Sequence, residues 1–150
     1  MNYERKSEEF FRKGYNCAQS VAAAFADAVG LSEETLLKLS CPFGGGFARK
    51  RNICGAVSGM GIILGLLYAT DSPDAKKDSY RLAGELADKF AAEFGSMICA
   101  ELLAGAVPKG GSPEPEKRTE EYYQRRRCVD CVKCAARLVE EEMRDAPEKI

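Results

Sequence analysis

Apolar side chains recur at helical spacing along almost the whole chain, and no segment alternates apolar and polar residues as a half-buried strand does. Residues that start and stop helices divide this pattern into segments. The predicted helices cover residues 3–13, 16–29, 33–41, 52–68, 73–94, 96–103 and 119–144. We therefore expect an all-α fold, organised as a single-domain bundle of six or seven helices.

The segment at 52–68 is apolar on all sides, so we expect it to be the central, buried helix of the bundle. Its four glycines form two pairs with a spacing of four residues, which are Gly55 with Gly59 and Gly61 with Gly65. Such pairs let neighbouring helix backbones come close, and packing alone is the simpler explanation of glycines that each cost a helix about 1 kcal/mol. The functional alternative is that bare backbone at Gly55 and Gly59, next to Cys54, makes room for a ligand or a cluster.

Residues 105–117 consist largely of glycine, proline, serine and charged side chains, and their prolines exclude a continuous helix. We expect a flexible linker here, leading into the last helix. A chain of 150 residues has the usual length of one domain. Folding as one domain would bury roughly 70% of its extended surface, so the core needs no disulfides.

Composition excludes several kinds of site. The chain has no histidine, so it cannot carry a Ser-His-Asp or Cys-His arrangement, a histidine-bound metal or a C-x-x-C-H haem attachment sequence, and we expect no haem. Its 22 basic and 23 acidic residues nearly balance, which does not indicate a nucleic-acid partner. Cysteine must therefore act with acids, bases and backbone groups.

We expect a cytoplasmic protein, because a charged run follows Met1 directly where a signal peptide would be apolar. Cysteine-rich chains in that reducing compartment are more often catalytic, redox-sensing or metal-binding than cross-linked, and the odd count of seven cysteines agrees with this. The uncharged run at 52–70 is short and interrupted by glycine, so we expect no membrane span.

Three cysteines fall where a first helical turn is predicted, each after a residue suited to cap the helix. They are Cys17 after Asn16, Cys54 after Asn52 and Cys99 after Ser96. A helix N-terminus presents unpaired N–H groups and the positive end of the helix dipole, which favour the thiolate over the thiol. This placement suits reactive or metal-binding sulfur, although a cysteine also often packs as a small apolar residue.

A C-x-x-C-x-x-C sequence, formed by Cys128, Cys131 and Cys134, lies inside the predicted last helix. Helical geometry puts Cys128 and Cys131 in the apolar stripe and Cys134 at its edge. Residues three apart have Cβ atoms about 5–6 Å apart, which is too far for an unstrained disulfide. A zinc ion bridges that gap more easily, but zinc ribbons use two separate C-x-x-C turns and this chain has one run.

The loop at 43–51 combines three glycines, Gly44, Gly45 and Gly46, with three basic residues before a predicted helix start. This combination suggests an anion site. The loop lacks the pattern of a phosphate-binding P-loop, and a flexible, positively charged connection is the simpler interpretation. Its functional use would be to lower the pKa of Cys54 or to attract an anionic partner.

Four segments of the chain resemble the C_GCAxxG_C_C family of redox-active proteins. The segments are G-Y-N-C-A-Q-S at 14–20, F-G-G-G at 43–46, C-G-A-V-S-G at 54–59 and F-G-S-M-I-C at 94–99. The resemblance covers most of the chain and assigns the family cysteines to Cys17, Cys54 and Cys99. For the fourth family cysteine, Cys128 is the best match and Cys131 is a competitor. Cys41 and Cys134 receive no assigned role.

The resemblance implies a redox function but no substrate. The chain is also similar to a domain of split-Soret cytochromes, which carry haem and are associated with an iron–sulfur centre. Our leading hypothesis is that Cys17, Cys54, Cys99 and Cys128 gather around one redox site, which acts by thiol–disulfide exchange or by electron transfer. For exchange, Cys54 would be the attacking thiolate.

Two alternatives remain at this point. In the first, these cysteines, with Cys131 as a further candidate ligand, bind an iron–sulfur cluster or zinc. In the second, a helical binding or assembly protein simply packs its cysteines. The sequence identifies no redox partner, and it leaves the oligomeric state open, a homo-oligomer included.

Overall fold

A computed structural model of the chain describes residues 2–104 and 115–145. Over this part the chain forms nine α-helices and no strand, which confirms the all-α prediction. The helices are α1 Tyr3–Arg12, α2 Cys17–Ala24, α3 Ala26–Val29, α4 Glu33–Ser40, α5 Gly55–Tyr68, α6 Ala75–Phe94, α7 Cys99–Leu102, α8 Glu120–Arg125 and α9 Cys128–Asp145; a 3-10 turn, Cys41–Phe43, follows α4. Most of the predicted linker, at 105–114, lies outside the described residues.

The predicted count of six or seven helices is too low, because two predicted helices are each divided. The helix predicted at 16–29 breaks at Phe25, whose ring stacks on Tyr3 with the ring centres 4.3 Å apart. The helix predicted at 119–144 breaks at Arg126, where the backbone is extended with φ −107° and ψ 146°. Neither break occurs at glycine or proline, so helical periodicity alone does not reveal it. The second break makes Cys128 the first residue of α9 instead of an interior one.

Local capping signals predict some helix starts correctly and others not. Asn16 caps α2 in a reciprocal capping box with Gln19, and Ser32 caps α4 through the Thr35 N–H. The start of α5 differs, since its cap is Cys54 itself and not Asn52. Likewise the residue before α7 is Ile98 and not Ser96, and α6 begins at Ala75, two residues after its predicted start at 73.

The core lies where α1, α2, α5, α6 and α9 pack on one another. Large side chains with almost no exposed surface fill it, among them Phe11, Phe25, Phe90, Met60 and Val132. Burying each such side chain stabilises the fold by about 1.5–3 kcal/mol relative to leaving it in water. No helix in the described ranges is long and apolar enough to cross a bilayer.

Helix α5 is not enclosed on all sides, contrary to expectation. Leu66 is 44% exposed, and a Cβ at Gly61 or Gly65 would meet no atom within 4 Å, so that glycine pair makes no close helix contact. The other pair does. A Cβ at Gly59 would lie 2.7 Å from the Ala18 carbonyl oxygen, and one at Gly55 would lie 3.2 Å from the Cys17 Cβ. These two glycines hold the start of α5 against the start of α2.

Candidate functional site

Four of the cysteines lie at helix starts that meet in one region. Cys17 begins α2, Cys54 caps α5, Cys99 begins α7 and Cys128 begins α9. Close packing at Gly55 brings the first two together. A short antiparallel contact between the segments before α5 and α7 brings in Cys99, because the Cys54 N–H donates to Met97 and the Cys99 N–H donates to Asn52.

Cys54 and Cys131 form the first hydrogen-bonded cysteine pair. The Cys131 thiol donates to the Cys54 sulfur, and the N–H groups of Ala56 and Val57 in the first turn of α5 donate to it as well. Together these donors outweigh burial and lower the pKa of Cys54. The same hydrogen bond, together with burial, raises the pKa of Cys131, which is 2% exposed. Cys54 is therefore the more acidic member of the pair, and the proton is held preferentially by Cys131.

Cys17 and Cys128 form the second pair, in which Cys17 favours the thiol instead of the thiolate predicted from its helix start. The Cys17 thiol donates to Cys128, so the pKa of Cys17 is raised well above its ordinary value, by this hydrogen bond and then by burial. The pKa of Cys128 falls to about 7, first because of that hydrogen bond and further because of the Arg126 guanidinium. A helix start alone predicts a thiolate at Cys17, but the neighbouring sulfurs overrule it.

Cys99 is buried and contacts an arginine. The Arg51 Nη1 donates to its sulfur at 3.7 Å. Burial raises the pKa of Cys99 more than Arg51 lowers it, so the helix-start prediction of a thiolate is wrong here too. The α7 helix is only one turn long, which leaves it with little dipole to offset burial.

The two cysteines without a role in the family pattern lie elsewhere. Cys41 is exposed and lies in the 3-10 turn that follows α4. Cys134 is buried, not at the edge of the apolar stripe as expected, and the Arg137 guanidinium donates to its sulfur at 3.4 Å. Burial, and then a hydrogen bond involving Glu93, raise the pKa of Cys134 to about 12. Cys134 therefore stays a thiol at neutral pH.

The glycine-rich loop is an ordered left-handed turn and not the flexible connection that the simpler interpretation predicts. Residues 45–49 all have positive φ, as does Arg51, and four of these six residues are not glycine. Each such non-glycine residue costs roughly 1–2 kcal/mol. Backbone hydrogen bonds across the turn hold it, including those from Ala48 to Pro42 at 2.8 Å and from Asn52 to Gly46 at 2.9 Å. A Cβ at Gly46 would lie 2.7 Å from the Cys99 Cβ, so glycine lets the loop close over that cysteine.

This loop, the helix starts and the segment before α9 enclose a cavity of about 320 Å³. Its wall includes Cys17, Cys54 and Cys99, together with Gly44, Gly45, Gly46 and Gly55 of the predicted ligand-binding glycines. Gly59 instead faces the backbone of α2. Cys128 and Cys131 lie behind this wall and are each hydrogen-bonded to a cysteine in it.

Three cavity residues escaped prediction, namely Arg118, Tyr122 and Arg126. Arg126 belongs to a run of three arginines, a pattern typical of a solvated helix face, yet its side chain is 7% exposed and its guanidinium lies 4.5 Å above the Tyr122 ring. Arg118 lies over the same ring at 4.9 Å and donates to the carbonyl oxygens of Phe11 and Tyr15. The spacing of Tyr122 and Arg126, four residues apart, is the sequence signal that could have revealed this contact.

The cysteines do not form a single-ion metal site. Among residues 2–104 and 115–145, no three cysteine or carboxylate side chains are arranged to hold one metal ion. Instead four sulfurs are divided into two hydrogen-bonded pairs. This donor arrangement fits thiol chemistry and does not fit a mononuclear zinc centre, which needs four ligands around one ion.

The family described as "Putative redox-active protein (C_GCAxxG_C_C)" matches residues 15–142. The chain belongs to this family. That range contains both cysteine pairs and the whole described cavity wall except Phe11. Another protein similar to this C_GCAxxG_C_C member is an uncharacterized protein of Archaeoglobus fulgidus, 26% identical over 148 residues that cover 95% of this chain and 93% of the relative. No solved structure matches the chain.

Proposed function

We propose that this member of the redox-active family is a thiol–disulfide oxidoreductase in which Cys54 attacks and Cys131 resolves. The observation that carries the proposal is the set of three hydrogen bonds to the Cys54 sulfur, from Cys131 and from the Ala56 and Val57 N–H groups. They favour the thiolate, which is the nucleophile in disulfide exchange. Cys54 also lies in the cavity wall, where a substrate can reach it.

The proposed reaction transfers two electrons. The Cys54 thiolate attacks one sulfur of a substrate disulfide, forms a mixed disulfide and releases the other half as a thiolate, which takes up a proton. Cys131 then loses its proton and attacks the Cys54 sulfur, which breaks the mixed disulfide and releases the second half of the substrate as a thiolate that takes up a proton. The products are a Cys54–Cys131 disulfide and two substrate thiols, so the protein dithiol is oxidised as the substrate disulfide is reduced.

The Cys17–Cys128 pair supports a second redox couple. Cys128, with a pKa of about 7, is partly thiolate at neutral pH, and its hydrogen-bonded partner Cys17 reaches the cavity. In its dithiol form this pair would hold a second pair of electrons, because it can reduce the Cys54–Cys131 disulfide and become a disulfide itself. A reducing compartment such as the cytoplasm would regenerate both pairs.

Trapping of the mixed disulfide tests the assignment. The Cys131→Ser variant should accumulate an adduct on Cys54 when treated with hydroxyethyl disulfide, because the resolving cysteine is absent. Cys54→Ser should form no such adduct, and Cys134→Ser should react like the parent protein. An adduct that forms equally well in Cys54→Ser would contradict the proposal.

A visible spectrum and metal analysis of anaerobically purified protein test the alternative chemistry. The proposal predicts no visible absorption and substoichiometric iron and zinc. Stoichiometric iron with a visible band that disappears in Cys54→Ser would instead assign these cysteines to an iron–sulfur cluster.

A further inference from the structure

The cavity beside Cys54 has a positively charged wall. Its described lining residues include Arg49, Arg51, Arg118 and Arg126 and a single carboxylate, Glu116, which pairs with Arg126. Burial lowers the pKa of Arg49, and the nearby charges of Arg51 and Arg126 lower it further, which shows that these cations crowd one another. The wall therefore favours a negatively charged ligand.

Arg51 is the strongest sign of a ligand. The residue is 4% exposed, and its Nη1 donates to the Cys99 sulfur, a thiol at neutral pH because its pKa is raised. Its Nε–H has no acceptor among residues 2–104 and 115–145. Burial of a guanidinium donor without an acceptor is costly, so a buried arginine is normally matched by an anion.

Arg126 repeats this arrangement in another part of the cavity wall, at the break between α8 and α9. Its side chain is 7% exposed, and its Nη2 is bound to Glu116. Within the described part of the chain, the Nε–H of Arg126 also has no acceptor. Two buried guanidinium N–H donors thus lack partners at one cavity that contains a reactive sulfur.

We propose that this cavity binds a small anion, and that the substrate of the exchange reaction is a low-molecular-weight disulfide carrying a carboxylate or a similar oxyanion. The second half of this inference rests on the proposed function. The Nε–H groups of Arg51 and Arg126 bind the anionic group while the disulfide sulfur reaches Cys54. A volume of about 320 Å³ is at the small end of ligand pockets, which suits a small disulfide.

Three linear disulfides that differ mainly in charge test the inference. They are dithiodipropionate, which is anionic, hydroxyethyl disulfide, which is neutral, and cystamine, which is cationic. The rate of Cys54 oxidation by each is divided by its rate with a free thiol, which removes differences in intrinsic reactivity. We expect the normalised rate for dithiodipropionate to exceed that for hydroxyethyl disulfide at least tenfold, with cystamine slowest.

Variants assign the preference to the two arginines. Arg51→Gln and Arg126→Gln should each lose most of the preference for the anion while still reacting with hydroxyethyl disulfide. Arg51→Lys keeps the positive charge and should keep part of the preference for the anion. The matched control is Lys50→Gln, which removes the adjacent but exposed positive charge and should leave the preference unchanged. Two independent arginine variants guard against one that fails to fold.

Suberate, a dicarboxylate of similar length without a disulfide, separates the two claims. It should bind the parent protein in calorimetry and slow oxidation by dithiodipropionate. If hydroxyethyl disulfide oxidises Cys54 but the anionic compound shows no advantage and suberate does not bind, the exchange function stands and the anion site is wrong. If no disulfide reacts with Cys54, the proposed function is wrong, and suberate binding alone decides the anion site.

Discussion

Removal of the Cys131 thiol should make Cys54 a poorer nucleophile at neutral pH. In Cys131→Ala, the Cys54 thiolate loses its strongest stabilising contact and keeps the N–H groups of Ala56 and Val57. A hydrogen bond to a charged group contributes about 1.5–3 kcal/mol, and a thiol is a weak donor, so we take about 1.4 kcal/mol. This free energy corresponds to an about tenfold smaller thiolate fraction.

Iodoacetamide alkylation of reduced, metal-free protein, with Cys54 followed by peptide mass spectrometry, measures this fraction as a function of pH. At pH 7 the Cys54 rate in Cys131→Ala should fall about tenfold, and its pH profile should move to higher pH. Cys131→Ser should react at nearly the parental rate, because the serine hydroxyl can donate the same hydrogen bond. Cys134→Ala, one turn further along α9, is the control and should leave Cys54 unchanged.

The result that would refute this reasoning is an unchanged Cys54 profile in Cys131→Ala. The backbone of α5 alone would then set the reactivity of Cys54, and Cys131 would be a packed side chain. A loss of rate in Cys131→Ser equal to that in Cys131→Ala would also contradict the hydrogen-bond explanation, since only packing at this buried position would then account for both.

Three further predictions concern function and stability. Cys54→Ser should abolish reversible thiol oxidation by small disulfides in thiol titrations, whereas Cys134→Ser should leave it intact. In urea denaturation, Gly59→Ala should destabilise the fold by about 1–3 kcal/mol, because its Cβ would lie 2.7 Å from a carbonyl oxygen of α2. Gly61→Ala, in open space on the same helix, should instead stabilise the fold by about 0.5–1 kcal/mol. The pKa of Cys128 falls to about 7 on folding, so its thiolate stabilises the fold fully above the unfolded value of about 8.5 and loses that contribution as pH falls through about 7. Under reducing conditions, the stability difference between the parent and Cys128→Ser should therefore grow from about pH 7 to about pH 8.5, and a difference that shrinks would contradict the pKa direction.

Features set by near neighbours could be predicted from the sequence. The caps at Asn16 and Ser32 depend on side chains three residues away, and the left-handed helix ends at Gly30 and Gly95 need only the local preference of glycine. Helical periodicity likewise suffices for an all-α fold, because it is a local property of each segment.

Features set by distant parts of the chain could not be predicted. The pairing of Cys54 with Cys131 depends on how α5 packs against α9, and the packing of α2 against α9 reverses the expected ionisation of Cys17. The glycines at 44–46 indicate a turn, but positive φ at Phe47 and Arg51 is held by backbone hydrogen bonds that no local preference reveals. Burial of Arg51 follows from the same turn.

Disulfide mapping after limited oxidation tests the central claim most directly. Fully reduced protein is treated anaerobically with one equivalent of hydroxyethyl disulfide, the remaining thiols are alkylated, and the digested peptides are analysed by mass spectrometry. Our account predicts that the first disulfide links Cys54 to Cys131, with Cys17 linked to Cys128 only at higher oxidant. A first disulfide that includes Cys134, or no disulfide among the four paired cysteines, would contradict it.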